Sequence, residues 1–320
     1  MYPEVVTAIE AWQQTPDLHR LDHPRLFDDN GHLKSGSRWT QQHVDAFRIV
    51  TVQNVPLDDL FAFSLPALDE PVMQQCQLFW RLTRDDLYHQ NADALSNIGI
   101  PMTMFIRIGA CMEALMGVID RRRSHDSDLS HTSNENEDET ESATNSLART
   151  ICRTFLHLTN LHHKRPPSWD YVARHEYMPI RILRSSEGSV KNDGAIVYIS
   201  EQRKKTVHIW VEAKPYEYSP ERPLRYESTI PQKVAESLSL AQNQPTVRDV
   251  FGIEFSHRYA AFWSVHFTDD YILQSKNNPI LDPTHPMIMK RSRVFDLVEQ
   301  HDRCEFAQAF VGLLRYKSSV

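Results

Sequence analysis

Apolar residues in the first 120 positions recur at helical spacing. Val72, Cys76, Phe79, Trp80 and Leu87 fall near one stripe, and Met102–Ile119 is apolar on several faces, which predicts a buried helix. Thr40 stands where it can cap a helix running through Val44, Phe47 and Ile49. Pro56, Pro66 and Pro71 punctuate these segments. The pattern predicts a mostly helical N-terminal region over residues 1–121.

Residues 122–140 lose the pattern. Ser, Asn, Asp and Glu dominate, and a tract so poor in apolar groups cannot offset its own ordering entropy, so a disordered loop or linker is expected. The basic triplet Arg121, Arg122 and Arg123 at its start leaves open a localisation or phosphorylation segment.

A different period then sets in. Glu141–Leu158 reads as a helix with Leu147, Ile151, Phe155 and Leu158 on one side. Strand-like runs follow at Met178–Leu183, Ala195–Ser200 and Thr206–Lys214. A helix comes next at Pro231–Ala241, then strands at Val250–Phe255 and Ala260–Phe267. The stretch Arg291–Tyr316 reads as helix. This order predicts an α/β domain with a mixed sheet over residues 141–320.

The chemistry concentrates in KNDGAIVYISEQRKKTVHIWVEAKP. Asp193 and Gly194 open one β run, and a second ends in Glu212-Ala213-Lys214. Joined by the charged turn EQRKK, the two runs form a hairpin whose open end brings Asp193 close to Glu212 and Lys214. Side chains at i and i+2 share a strand face, so Glu212 and Lys214 project together. Two carboxylates offer hard oxygen ligands for Mg²⁺ or Mn²⁺, and a lysine beside them can orient or deprotonate a water and offset phosphate charge.

An aspartate opening one strand and an ExK on the next resembles the PD-(D/E)XK, or restriction-endonuclease-like, nuclease superfamily. Within it the chain looks most like the divergent members found in fungal proteins. Asn192 stands where many members have proline, a departure that leaves the carboxylate in place. Members often carry a glutamine on the following helix, matched by Gln232, with Glu236 four residues on. They also often carry an acid on the preceding helix, matched by Glu141 or, less closely, Glu139. VFGIEFSHRYAAFWSVHF is similar to the strand–turn–strand that follows.

The resemblance spans about 135 residues and implies a helix–mixed sheet–helix core. It implies Asp193, Glu212, Lys214 and Gln232 as catalytic residues. It also implies a metal held by Asp193, Glu212 and the Ala213 carbonyl, with Glu141 in support. The implied activity is Mg²⁺- or Mn²⁺-dependent hydrolysis of DNA, with RNA as the second substrate. The other reading is an inactive nuclease-fold scaffold that binds proteins or nucleic acid, the N-terminal region supplying a protein-binding surface.

Other features read more plainly. Cys152, His157, His162 and His163 match no standard zinc spacing and fit a buried cysteine and a polar helix end. His208 and Trp210 are expected on the face of Glu212, as sheet packing rather than base stacking. Arg203, Lys204 and Lys205 lie in the turn, at the far end from the site.

Nine glycines and no GxGxxG or GxxxxGK[ST] exclude a glycine-loop nucleotide enzyme. Seven acids between Ser124 and Glu141 account for the whole net charge of −7, so overall acidity does not exclude a nucleic-acid partner. Four scattered cysteines, no secretory leader and no apolar run near the ~18 residues of a membrane span predict an intracellular protein, nuclear or cytoplasmic, with no membrane association.

Overall fold

The structure, a computed structural model, describes residues 2–61, 63–81, 102–126, 133–163, 165–173, 178–182, 186–214, 229–244 and 248–319. One mixed sheet organises it, with helices on both faces. Its strands are β1 (Ile49–Val55), β2 (Ser168–Ala173), β5 (Gly194–Ile199), β6 (Lys205–Lys214), β7 (Asp249–Ser256), β8 (Tyr259–His266), β9 (Met287–Ser292) and β10 (Phe295–Asp296). They lie in the order β1-β9-β8-β7-β6-β5-β2, with β10 beside β8. β6 runs parallel to β7 and β1 parallel to β9, while every other pair in this sheet is antiparallel.

The helices are α1 (Pro3–Gln14), α2 (Gln41–Ala46), α3 (Leu57–Leu60), α4 (Pro71–Arg81), α5 (Met102–Asp126), α6 (Ser133–Leu158), α7 (Ile230–Asn243), α8 (Asp269–Asn277) and α9 (Gln300–Ser319). On one face, Leu147, Ile151 and Phe155 of α6 and Phe306 and Phe310 of α9 bury against Ile209 and Val211. On the other, Val234 and Leu238 of α7 bury against Trp210 and Trp263. α7 lies in the crossover between β6 and its parallel neighbour β7, which a tight hairpin turn could not join.

Several expectations need correction. The run Met178–Leu183 does not enter the main sheet. Met178–Ile182 (β3) pairs with Ser186–Val190 (β4) as a separate two-stranded hairpin, packed against α7 and α8, and residue 183 lies outside the described residues. The third strand of the β5–β6 meander is instead β2, whose Trp169 and Tyr171 face the α6 side.

The tract 122–140, expected to be disordered, is helical where described: α5 reaches Asp126 and α6 begins at Ser133. Glutamate is a good helix former, and acids at a helix N-terminus complement its dipole. Thr40 does cap a helix, through reciprocal hydrogen bonds with His43, but α2 stops at Ala46. Arg48 adopts φ 51° and the chain then enters β1, so Ile49 is a strand residue.

Residues 1–121 are therefore no separate helical region. β1 extends the same sheet, and Val5, Trp12, Val50 and Val52 share its core. In the C-terminal stretch, residues 291–299 hold the end of β9 and β10, and helix starts only at Gln300. The expected helical stripe through Leu87 ends in description at Arg81.

Candidate functional site

The β5–β6 hairpin closes as expected at its charged turn, where Ser200 and Lys204 share a backbone hydrogen bond of 3.0 Å and Arg203 takes φ 61°. Its register pairs Gly194 with Val211, which puts Asp193 opposite Glu212 at the open end. Asp193 Oδ2 accepts the Ala213 N–H at 2.9 Å. A strand residue's carbonyl points to the same side as its own N–H, so the Ala213 oxygen also faces Asp193. Gly194 is required here: a Cβ would stand 2.1 Å from the Tyr171 hydroxyl, which passes beneath the strand.

Glu212 and Lys214 share a face and form an ion pair. Gln232, on the first turn of α7, completes the cluster. Its Nε2 donates to Glu212 Oε1 at 2.6 Å and to Glu236 Oε1 at 2.9 Å, and its Oε1 accepts from Lys214 Nζ at 3.3 Å. Both amide hydrogens and the carbonyl are used, so the orientation of the amide is fixed by its partners. Sequence reasoning placed Glu236 on the Gln232 face but gave it no role. The signal was available, since an acid one turn on from Gln232 must face the same strand.

Glu212 and Glu236 are fully buried, whereas 17% of the Lys214 side chain is exposed. Burial raises the carboxyl of Glu212, with Lys214 opposing. Burial and then the neighbouring Glu212 raise Glu236 well above an ordinary glutamate. The two carboxyls lie within hydrogen-bonding reach of each other, and neither Oε2 has a donor among the described residues. Burial pulls Lys214 down, but Glu212 and Asp193 outweigh it and hold the ammonium charged.

A second buried network, missed in the sequence, lies beside the first. Lys233 and Glu254 form an ion pair at 2.6 Å with both side chains almost wholly buried, Arg291 stands 3.7 Å from the same carboxylate, and Trp263 Nε1 donates to it at 3.2 Å. Both cations lie over the Trp263 ring. A glutamate within the apolar run VFGIEF was the legible sign of a buried charge that must be paired.

No known protein family and no curated protein matches the chain in sequence.

Glu141 is half-buried on α6. Among the described residues no group of three His, Cys, Asp or Glu side chains that could hold a metal ion is found, and Asp193 and Glu212 are the two carboxylates facing each other across the hairpin's open end. A cation here would rest on those two carboxylates and the Ala213 carbonyl. Such a set suits a hard ion such as Mg²⁺ or Mn²⁺. The undonated Oε2 of buried Glu212 is the orphan oxygen such an ion would neutralise.

His208 does not share the face of Glu212. A bulge between Ile196 and Val197 shifts the register, and His208 packs on Trp169 at 4.7 Å, on the α6 side, where burial lowers its pKa to about 4. Trp210 does face α7. It is fully buried and donates to Ser237 at 3.0 Å, so it is packing rather than a stacking platform. Cys152 is buried in the core, and His157 lies against His162 at the end of α6.

Proposed function

We propose that this chain is a metal-dependent nuclease of the PD-(D/E)XK kind, acting on DNA or RNA inside the cell. One observation carries the reading: the hairpin register sets Asp193 opposite Glu212, with Lys214 on the Glu212 face and Gln232 bridging both. The element order α6, β2, β5, β6, α7, β7 adds support. An antiparallel meander followed by a helical crossover into a parallel strand leaves the cluster at the carboxyl ends of β6 and β7.

Asp193, Glu212 and the Ala213 carbonyl would hold Mg²⁺ or Mn²⁺. Once bound, the ion supplies charge stabilisation to a phosphate oxygen and a water of lowered pKa. Lys214 is the cluster's exposed edge. Two of its three donors go to Glu212 and Gln232, leaving one for the attacking water or the phosphate. Held charged by Glu212 and Asp193, it supplies a hydrogen-bond donor at the site. Gln232 keeps Lys214 and Glu212 in register.

The test is cleavage of plasmid, single-stranded DNA and RNA with Mg²⁺ or Mn²⁺. Activity lost in Asp193→Ala and Lys214→Ala supports the proposal, and intact protein that cuts none of these substrates overturns it. The closure of Glu212, wholly buried and already paired, favours a second reading as a non-catalytic scaffold. Calorimetry separates the two: Mn²⁺ binding lost in Asp193→Ala belongs to the nuclease, and no binding at millimolar Mn²⁺ belongs to the scaffold.

A further inference from the structure

A cleft of about 630 Å³, lined by polar side chains together with Leu33 and Pro179, lies between the N-terminal segment and the β3–β4 hairpin. His32, Lys34, Ser35 and Arg38 form one wall, and Gly188 and Ser189 of β4 the other. Two glycines hold the walls close. Gly36 seats against Val190 and Ala235, where a Cβ would meet both at 3.0–3.1 Å, and Gly188 lets the Leu33 backbone approach to a similar distance. Trp39 ties the segment down, donating from Nε1 to the Lys34 carbonyl at 3.0 Å and stacking on His43 and Phe47. The cleft is thus built before any ligand arrives.

Its charge is basic. The Lys34 ammonium is steered by one hydrogen bond to the Arg25 carbonyl at 2.8 Å and keeps two donors. Arg38 is exposed. The one acid of the lining, Asp28, accepts the N–H groups of Asn30 and His32 at 2.9 Å and stays ionised near Arg38, so Lys34 and Arg38 leave the lining a net single positive charge. The cleft also lies close to the candidate site along the chain. From Ser189 the chain runs through Val190, exposed Lys191 and Asn192 to Asp193. Four residues of extended chain reach at most ~13 Å, about four nucleotides of axial rise.

We infer that this cleft grips the phosphodiester backbone of a nucleic-acid strand whose next phosphates reach Asp193, with Lys34 and Arg38 as the main phosphate contacts and Lys191 between them and the site. The inference deepens the nuclease reading and rests on it for the strand's destination. Phosphate contacts position a strand without reading its sequence, so the grip is expected to be sequence-tolerant and salt-sensitive.

The experiment measures binding of fluorescein-labelled 20-mers, one of DNA and one of RNA, to the full chain in EDTA across a KCl series. Wild type is expected to bind at least one polymer. Lys34→Ala/Arg38→Ala should weaken binding at least tenfold at 50 mM salt and lower the slope of log K against log salt by about 1.4–1.8. Lys34→Glu/Arg38→Glu should abolish it, with thermal melting unchanged in both variants. Wild-type protein that binds neither polymer, or a double alanine variant within twofold of wild type with an unchanged slope, overturns the cleft. The two proposals fail separately. Salt-dependent binding without cleavage in any metal removes the nuclease and keeps the grip, while cleavage indifferent to both cleft variants does the reverse.

Discussion

Asp193 Oδ2 receives the backbone N–H of Ala213 at 2.9 Å, across the open end of a hairpin and 20 residues away in sequence. The bond locks the start of β5 to the end of β6 and holds the carboxylate beside Glu212. Asp193→Asn keeps an acceptor oxygen and should fold like wild type. Asp193→Ala should lose about 2 kcal/mol, the worth of a hydrogen bond to a charged group. Both should abolish cleavage and Mn²⁺ binding. Denaturant melts with calorimetry check this, and full activity in Asp193→Asn would remove Asp193 from the site.

Lys214 and Glu212 should prove coupled in stability as well as activity. Lys214→Ala strands a fully buried carboxylate, and breaking a buried pair costs about 3 kcal/mol or more. Adding Glu212→Gln removes the stranded charge and should restore much of that loss without restoring activity. A double-mutant cycle in urea is the measurement. Additive losses would mean that the pair does not act as a unit.

The pH dependence of stability follows from Glu212 and Glu236, whose folded carboxyls are raised above the ordinary 4.5. Below 4.5 the groups are protonated in both folded and unfolded chains and cost nothing. Above it the unfolded chain releases protons that the folded one retains, so stability falls with rising pH until the folded value is passed. Each such group contributes a slope of at most about 1.4 kcal/mol per pH unit. Glu236→Gln should therefore be more stable than wild type at pH 7, by a margin that shrinks toward pH 4.5. Chemical denaturation from pH 4.5 to 8 without metal checks it, and a pH-independent difference would refute the assignment.

Asn192 is fully buried beside the site, and neither end of its amide has a hydrogen-bond partner among the described residues. An unsatisfied buried amide costs about 1–3 kcal/mol. Asn192→Leu, close in shape, should raise stability by about 1 kcal/mol. A fall in melting temperature would mean that the amide is satisfied by water in solution.

The residues of the candidate site were legible in sequence because the hairpin's order is local: one charged turn and a period of two bring Asp193, Glu212 and Lys214 together. Gln232 was legible from the resemblance and from its place at the start of a helix. The main α/β class and most of the strands from β5 to β8 followed from the same periodicity.

Tertiary structure decided the rest, because the deciding partners are far apart in the chain. Met178–Ile182 has a strand's pattern wherever it pairs, and packing on α7 and α8 sends it to a separate hairpin with β4. β1 has no neighbour in sequence that reveals its place, since its partner β9 lies more than 230 residues on. The bulge that turns His208 to the opposite face arises from the fit of two strands, a property neither strand carries alone. Glu236, Lys233 and Glu254 show the same limit. Sequence gives the charges, but only the covered sheet determines that they are buried and which counterions they meet.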